Sequence, residues 1–256
     1  MSIDAETAAA SFRSTWNVLA TAAADRVWSH CEPDATALVS GLPIPTMNGV
    51  WVTTADADLD LVRSMVDEVR ERAFPYCLQG RAAQRAALAG VAAEFALAPD
   101  DDVPLMVLDD PGRLPDPGAV PRLDVRELDA SEHDLHTTVG AAGFGVSHEV
   151  MAAITAMAQA VPGLRLYAGW VDGVPVSTAA SMPSDNAGAG IFNVATPPEH
   201  RRNGYGAAVT ARAVADALAD DATWAWLQSS ADGYPVYQRI GFRTIEAWPM
   251  WVSAAH

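Results

Sequence analysis

The run Asn193-Val-Ala-Thr-Pro-Pro-Glu-His-Arg-Arg-Asn-Gly-Tyr-Gly-Ala-Ala sets two arginines and two glycines directly ahead of a helical segment expected from Ala207 to about Ala219. The first turn of a helix presents N–H groups without intrahelical partners and the positive end of the helix dipole. Gly204 and Gly206 carry no Cβ, so an anion can approach the main chain closely there. Arg201 and Arg202 add two fixed charges whose planar forks suit phosphate oxygens. A diphosphate is the ligand this chemistry fits. The same glycines also admit a plainer reading, a simple turn between strand and helix, because G-x-G alone is a weak signal.

The flanking elements follow from local pattern. Ile191 to Ala195 form a short apolar strand, which Thr196-Pro197-Pro198 ends because proline offers no N–H to a ladder. Val214 and Leu218 lie one turn apart on the inner face of the following helix, with Val209 and Ala217 beside them. No G-x-x-x-x-G-K-[ST] occurs, and Val209 stands where a dinucleotide fingerprint needs its third glycine. Downstream, Thr223 to Gln228 read as a second strand. Asp232 is then expected to cap a short helix with Pro235 in its first turn, Val236 and Ile240 toward the core, and Gly241 at its end.

Arg201, Gly204 and Gly206 match R/Q-x-x-G-x-G/A, and in this the stretch resembles the acyl-CoA signature of the GNAT acyltransferases. The segment from Asp232 to Phe242, with its tyrosine and Gly-Phe, is similar to the closing element of that family. The resemblance covers about 122–252. It implies transfer of an acetyl or other short acyl group from acyl-CoA to a primary amine by direct attack on the thioester. It also implies a diphosphate seat on the backbone of Arg202, Asn203, Gly204, Tyr205, Gly206 and Ala207, with the Arg201 and Arg202 side chains nearby. The pantetheine arm would follow the strand edge at Asn193, Val194, Ala195 and Thr196, with Ser230 as a further hydrogen-bonding group. The N–H of Val194 or Ala195 would meet the charge that develops on the carbonyl oxygen. Tyr237 would protonate the departing thiolate, with Tyr234 in reserve.

One departure concerns the general base. The strand carries Asn193 where some relatives place Glu, and Glu199 and His200 lie beyond it near the phosphate turn. His148 and Glu149 read as the first turn of another helix, so no base is assigned. Without a base the alternative is a non-catalytic acyl-CoA-binding sensor or scaffold.

The chain as a whole has 256 residues, half of them hydrophobic, and a formal net charge of −16. That charge argues against nucleic acid or an anionic membrane as partner and favours an amine substrate, either small or part of a peptide or protein. It leaves the oligomeric state open. Cys31 and Cys77 are the sole cysteines, with no metal spacing and no disulfide framework, so no metal is expected. The acidic N-terminus does not read as a signal peptide, and no apolar run is long enough to span a bilayer. A cytoplasmic enzyme is expected.

The fold class read from the pattern is mixed α/β. Residues 1–108 alternate helices and strands in a domain read as a degenerate GNAT-like half without its own R-x-x-G-x-G. Residues 109–121 form a Pro/Gly-rich linker, and 122–256 form the GNAT-like domain. Within the latter, Asp172-Gly173 predicts a hairpin turn, and Trp248 and Trp251 read as core aromatics of a strand.

Overall fold

The computed structural model describes residues 2–254 as a mixed α/β protein of seven α-helices and eleven strands among the described residues. The chain divides into two compact units: 106–243 with Ser2, and 3–105 with the stretch from Thr244 onward. The sequence reading divides the chain at 108 and 121. The structure carries the chain from one unit to the other inside two strands, between Leu105 and Met106 and again between Arg243 and Thr244.

The first unit in chain order contains α1 (Ala5–Ala22), β1 (Trp28–Cys31), β2 (Ala35–Val39), β3 (Asn48–Val52), α2 (Leu59–Arg70), β4 (Cys77–Gly80), α3 (Arg85–Glu94) and the start of β5 (Ala98–Leu108). β1, β2 and β3 form an antiparallel meander, and β4 then runs parallel to β3. β4 begins at Cys77, where the buried Cys77 and Leu78 carry the pairing, while Phe74 just before it is exposed. α2 buries Val62, Met65, Val66 and Val69 on one face, the spacing that its sequence displays.

This unit is closed by the far end of the chain. β11 (Arg243–Val252) pairs antiparallel with β4 through Met250, Trp251 and Val252. Trp248 is fully buried and Trp251 nearly so, as read from the sequence. Glu246 on β11 accepts from Arg81 Nε at 2.5 Å, from the Ala82 N–H at 2.9 Å and from Trp248 Nε1 at 3.0 Å. Each of its oxygens is therefore satisfied, and the buried Arg81 charge is paired.

The second unit holds β6 (Leu123–Glu127), α4 (His133–Phe144), α5 (His148–Ala158), β7 (Arg165–Val171), β8 (Val174–Ser184), β9 (Gly188–Ala195), α6 (Tyr205–Ala219), β10 (Trp224–Gln228) and α7 (Tyr234–Arg239). β6 to β9 are antiparallel in sequence order, and β10 is parallel to β9. The two units thus share one scheme, antiparallel strands followed by a helix and a parallel strand. Met106 and Leu108, at the end of β5, join the core built by Val209, Val214, Ala225, Leu227, Ile240 and Phe242. The linker is not featureless: 3-10 turns form at Pro111–Arg113 and Pro117–Ala119, each with an aspartate accepting from a glycine N–H.

Candidate functional site

β9 is the strand on which the site is built, and its two edges behave differently. Along β8 it is paired from Gly188 to Ala195. Along β10 the pairing ends at Gly190 opposite Trp226, although both strands continue. Residues 191–195 therefore leave about 16 Å of strand edge without a strand partner, at the usual rise per residue. An open edge of this kind accepts an extended, hydrogen-bonding chain.

A bulge sits on that same segment. Thr178 pairs with Ala195 and Ala180 with Phe192, so Asn193 and Val194 together face Ala179. Asn193 adopts φ +50°, a left-handed conformation that asparagine tolerates better than most residues. A bulge releases one residue from the ladder and re-aims its backbone groups. Three hydroxyls brace it from β8 and the strand end. Thr178 Oγ1 donates to the Asn193 carbonyl at 3.3 Å, and Ser177 Oγ donates to the Ala195 carbonyl at 3.0 Å. Ser177 Oγ also lies 2.9 Å from Thr196 Oγ1. Neither Ser177 nor Thr178 is visible as a site residue in the sequence, because only strand register brings them here.

The turn after β9 is exposed from Arg201 to Gly204, and α6 begins at Tyr205 rather than Ala207, so Gly206 lies within the first turn. Gly204 is the N-cap at φ +83°, a conformation a side chain would strain, and Arg202 is also left-handed at φ +65°. No side chain caps this helix and no acidic residue occupies its first turn. α1, α2 and α5 differ, since Asp4, Asp58 and Ser147 accept from their first turns. The first-turn N–H groups of α6 remain available to an exogenous acceptor. α2, at the corresponding place in the first unit, has Asp58 as cap and Asp60 in its first turn, which opposes an anion there.

The arginines part company. Arg201 donates through Nε to the Thr196 carbonyl at 3.1 Å and through its Nη2 to the Gly143 carbonyl at 2.9 Å. Its guanidinium thus ties the turn to the end of β9 and to the last turn of α4. Gly143 is placed so that a Cβ would lie 2.8 Å from Ala195 Cβ and 3.0 Å from Thr196 N, which explains why glycine stands there. Arg202 is exposed and makes no side-chain hydrogen bond or ion pair among the described residues. Asn203 donates its amide to the carbonyls of His200 and Arg201, which holds the turn closed. Gly206 packs near Thr196, with 3.3 Å between Thr196 Oγ1 and the place of an added Cβ.

Tyr237 lies on α7, 8 % exposed, within the same core as Ile191 and Leu227. Its ring meets Phe242 edge-on at 6.0 Å, and it makes no side-chain hydrogen bond among the described residues. Burial pushes its phenol up to about 12. Tyr234 is less buried, and its phenol oxygen accepts from Gln238 Nε2. Asp232 does not cap α7: Gly233 is the N-cap, and Ser230 Oγ accepts the Gly233 N–H at 3.2 Å. Asp232 stays in solvent. Ile240 is buried as expected and Val236 only partly. Glu199 and His200 occupy a 3-10 turn just before the Arg201–Gly204 turn, and His148 with Glu149 opens α5.

Residues 167–252 match the family model described as FR47-like protein. No curated protein matches the sequence. Among solved structures, the fold is similar to a GCN5-related N-acetyltransferase from Kribbella flavida, with TM-score 0.70 and 19% identity over 100% of this chain and 97% of that one. A GCN5-related N-acetyltransferase from Sphaerobacter thermophilus gives 0.61 and 16%, covering 88% and 81% of the two chains. A tandem GNAT protein from the clavulanic acid biosynthesis pathway gives 0.58 and 16%, covering 94% and 88%. At 94% coverage of this chain, that match runs through both units found here.

Proposed function

We propose that this protein, GNAT in fold and FR47-like over residues 167–252, is an N-acyltransferase that moves an acetyl or other short acyl group from acyl-CoA to a primary amine. The observation that carries the reading is the open edge of β9 at 191–195, with a bulge in it and an uncapped helix start beyond it. These three features fit the three parts of one ligand: an extended amide-bearing arm, a thioester carbonyl and a diphosphate.

In this reading the first-turn N–H groups at Tyr205, Gly206 and Ala207 receive the diphosphate, and Arg202 supplies charge beside them. The backbone of Asn193 to Thr196 pairs with the arm as an added strand would. A backbone N–H at Val194 or Ala195, aimed by the bulge, receives the charge that collects on the carbonyl oxygen when the amine nitrogen attacks. As the carbon–sulfur bond breaks, Tyr237 gives its proton to the sulfur. The proton lost by the amine leaves through water, since β9 carries no carboxylate.

The test is thiol release from acetyl-CoA across a panel of small amines and an N-terminal peptide, with wild type and Tyr237→Phe compared. Amine-dependent release that collapses in Tyr237→Phe supports the assignment. Saturable acetyl-CoA binding with no transfer to any acceptor would favour the non-catalytic sensor or scaffold instead.

A further inference from the structure

The charge around the phosphate turn raises a question that the motif does not answer. A protein of net charge −16 must hold a polyanion, yet the Arg201 guanidinium is committed to two backbone carbonyls. Arg202 alone among the motif side chains is free to pair with phosphate. A second cation stands close by, supplied from the residues just after the linker.

The 3-10 turn at Pro117–Ala119 packs against α6, and Val120 Cγ2 lies 3.5 Å from where a Cβ on Gly204 would be. Two residues span at most about 7 Å, so the Arg122 backbone lies within that reach of Val120, which borders the helix start. Arg122 is held at φ +66°, and its guanidinium is held above its ordinary value first by Asp172 and last by the Tyr205 phenol, on the first residue of α6. Its guanidinium pairs with Asp172 in the β7–β8 turn, and both side chains are mostly exposed. An exposed pair of this kind is held only weakly in water, so a phosphate can displace the carboxylate.

We propose that Arg122 is a phosphate-binding residue of the acyl-CoA site, released from Asp172 when the phosphate arrives. The segment entering β6 is then part of the cofactor site as well as a connection, and Asp172 acts as a competitor that weakens binding. This rests on the acyltransferase reading and adds a residue that lies outside the R-x-x-G-x-G run.

The experiment is calorimetric titration of acetyl-CoA into wild type, Arg122→Ala, Asp172→Asn and the double variant. Arg122→Ala is expected to raise Kd about tenfold, the equivalent of about 1.4 kcal/mol. Asp172→Asn should lower Kd by about twofold to fivefold, within the range of an exposed pair. The double variant should bind like Arg122→Ala, because the competitor has nothing left to hold. Wild-type binding with Kd unchanged by Arg122→Ala would overturn the proposal while leaving the acyltransferase reading intact, and so would weaker binding by Asp172→Asn. Absence of binding by folded wild type would overturn both.

Discussion

Arg201 donates a 2.9 Å hydrogen bond to the carbonyl of Gly143, the last-turn glycine of α4, and so fixes the turn before α6 against a helix far earlier in the chain. Its second bond, to the Thr196 carbonyl, pins the end of β9. The arginine of the motif therefore acts on this site through geometry. Arg201→Ala is expected to lower kcat/KM about 10- to 100-fold, or about 1.4–2.8 kcal/mol of transition-state stabilisation. Arg202→Ala should instead act mainly on acetyl-CoA affinity and reduce its dependence on salt. Steady-state kinetics and calorimetry at two ionic strengths separate these outcomes.

Tyr237→Phe should reduce turnover by about 10²- to 10⁴-fold, the usual span for general acid catalysis, with acetyl-CoA affinity nearly unchanged. Burial raises the phenol to about 12, so the proton is present throughout the neutral and moderately alkaline range. The pH–rate profile should show no alkaline loss near 10, where an exposed tyrosine titrates. The same shift stabilises the fold fully below pH 10 and is lost as pH rises through 12, which Tyr237→Phe would remove from an alkaline unfolding series.

The bulge makes Asn193 sensitive to branching. Its φ of +50° is unfavourable for a β-branched side chain, so Asn193→Val should cost about 1–2 kcal/mol in stability and return the strand toward regular pairing. Asn193→Gly should keep both fold and turnover. Chemical denaturation and acyl-transfer rates on the two variants check this, and equal behaviour of valine and glycine would contradict it.

His136 on α4 has no exposed surface, and neither ring nitrogen has a hydrogen-bond partner among the described residues. Burial first, then the neighbouring His133, lower it from 6.5 to about 4. A histidine kept neutral in the fold and protonated in the unfolded chain stabilises above pH 6.5. That stability, about 3 kcal/mol at most, is lost as pH falls toward 4. His136→Leu should flatten this acid limb in urea midpoints measured from pH 7 to 4.

Local pattern carried the placement of nearly every element in the second unit, because strand–turn–helix order, the Asp172-Gly173 hairpin and the apolar face of α6 are encoded by neighbours in sequence. What local pattern could not carry depends on pairing. The open edge of β9 arises because its partner β10 diverges after Trp226, and the bulge arises from the register with β8. Nothing near Arg201 in sequence announces Gly143 as its partner. The transfer of β11 to the first unit was equally hidden, since Glu246 finds Arg81 across most of the chain. Asp232 lies one residue before the N-cap, which is Gly233, so its carboxylate stays in solvent and does not cap α7.

The most direct measurement is calorimetric titration of acetyl-CoA into wild type and Gly206→Glu, with thermal unfolding run beside it. Gly206 has an ordinary backbone conformation, and its would-be Cβ meets Thr196 Oγ1 at 3.3 Å and Val194 Cγ1 at 4.0 Å, both side-chain ends that can yield by a few tenths of an ångström, so the variant should fold with a carboxylate set at the helix start. Saturable one-to-one binding by wild type, lost in Gly206→Glu at an unchanged Tm, is the predicted result. No binding by folded wild type, or equal binding by both proteins, would contradict an acyl-CoA site on α6.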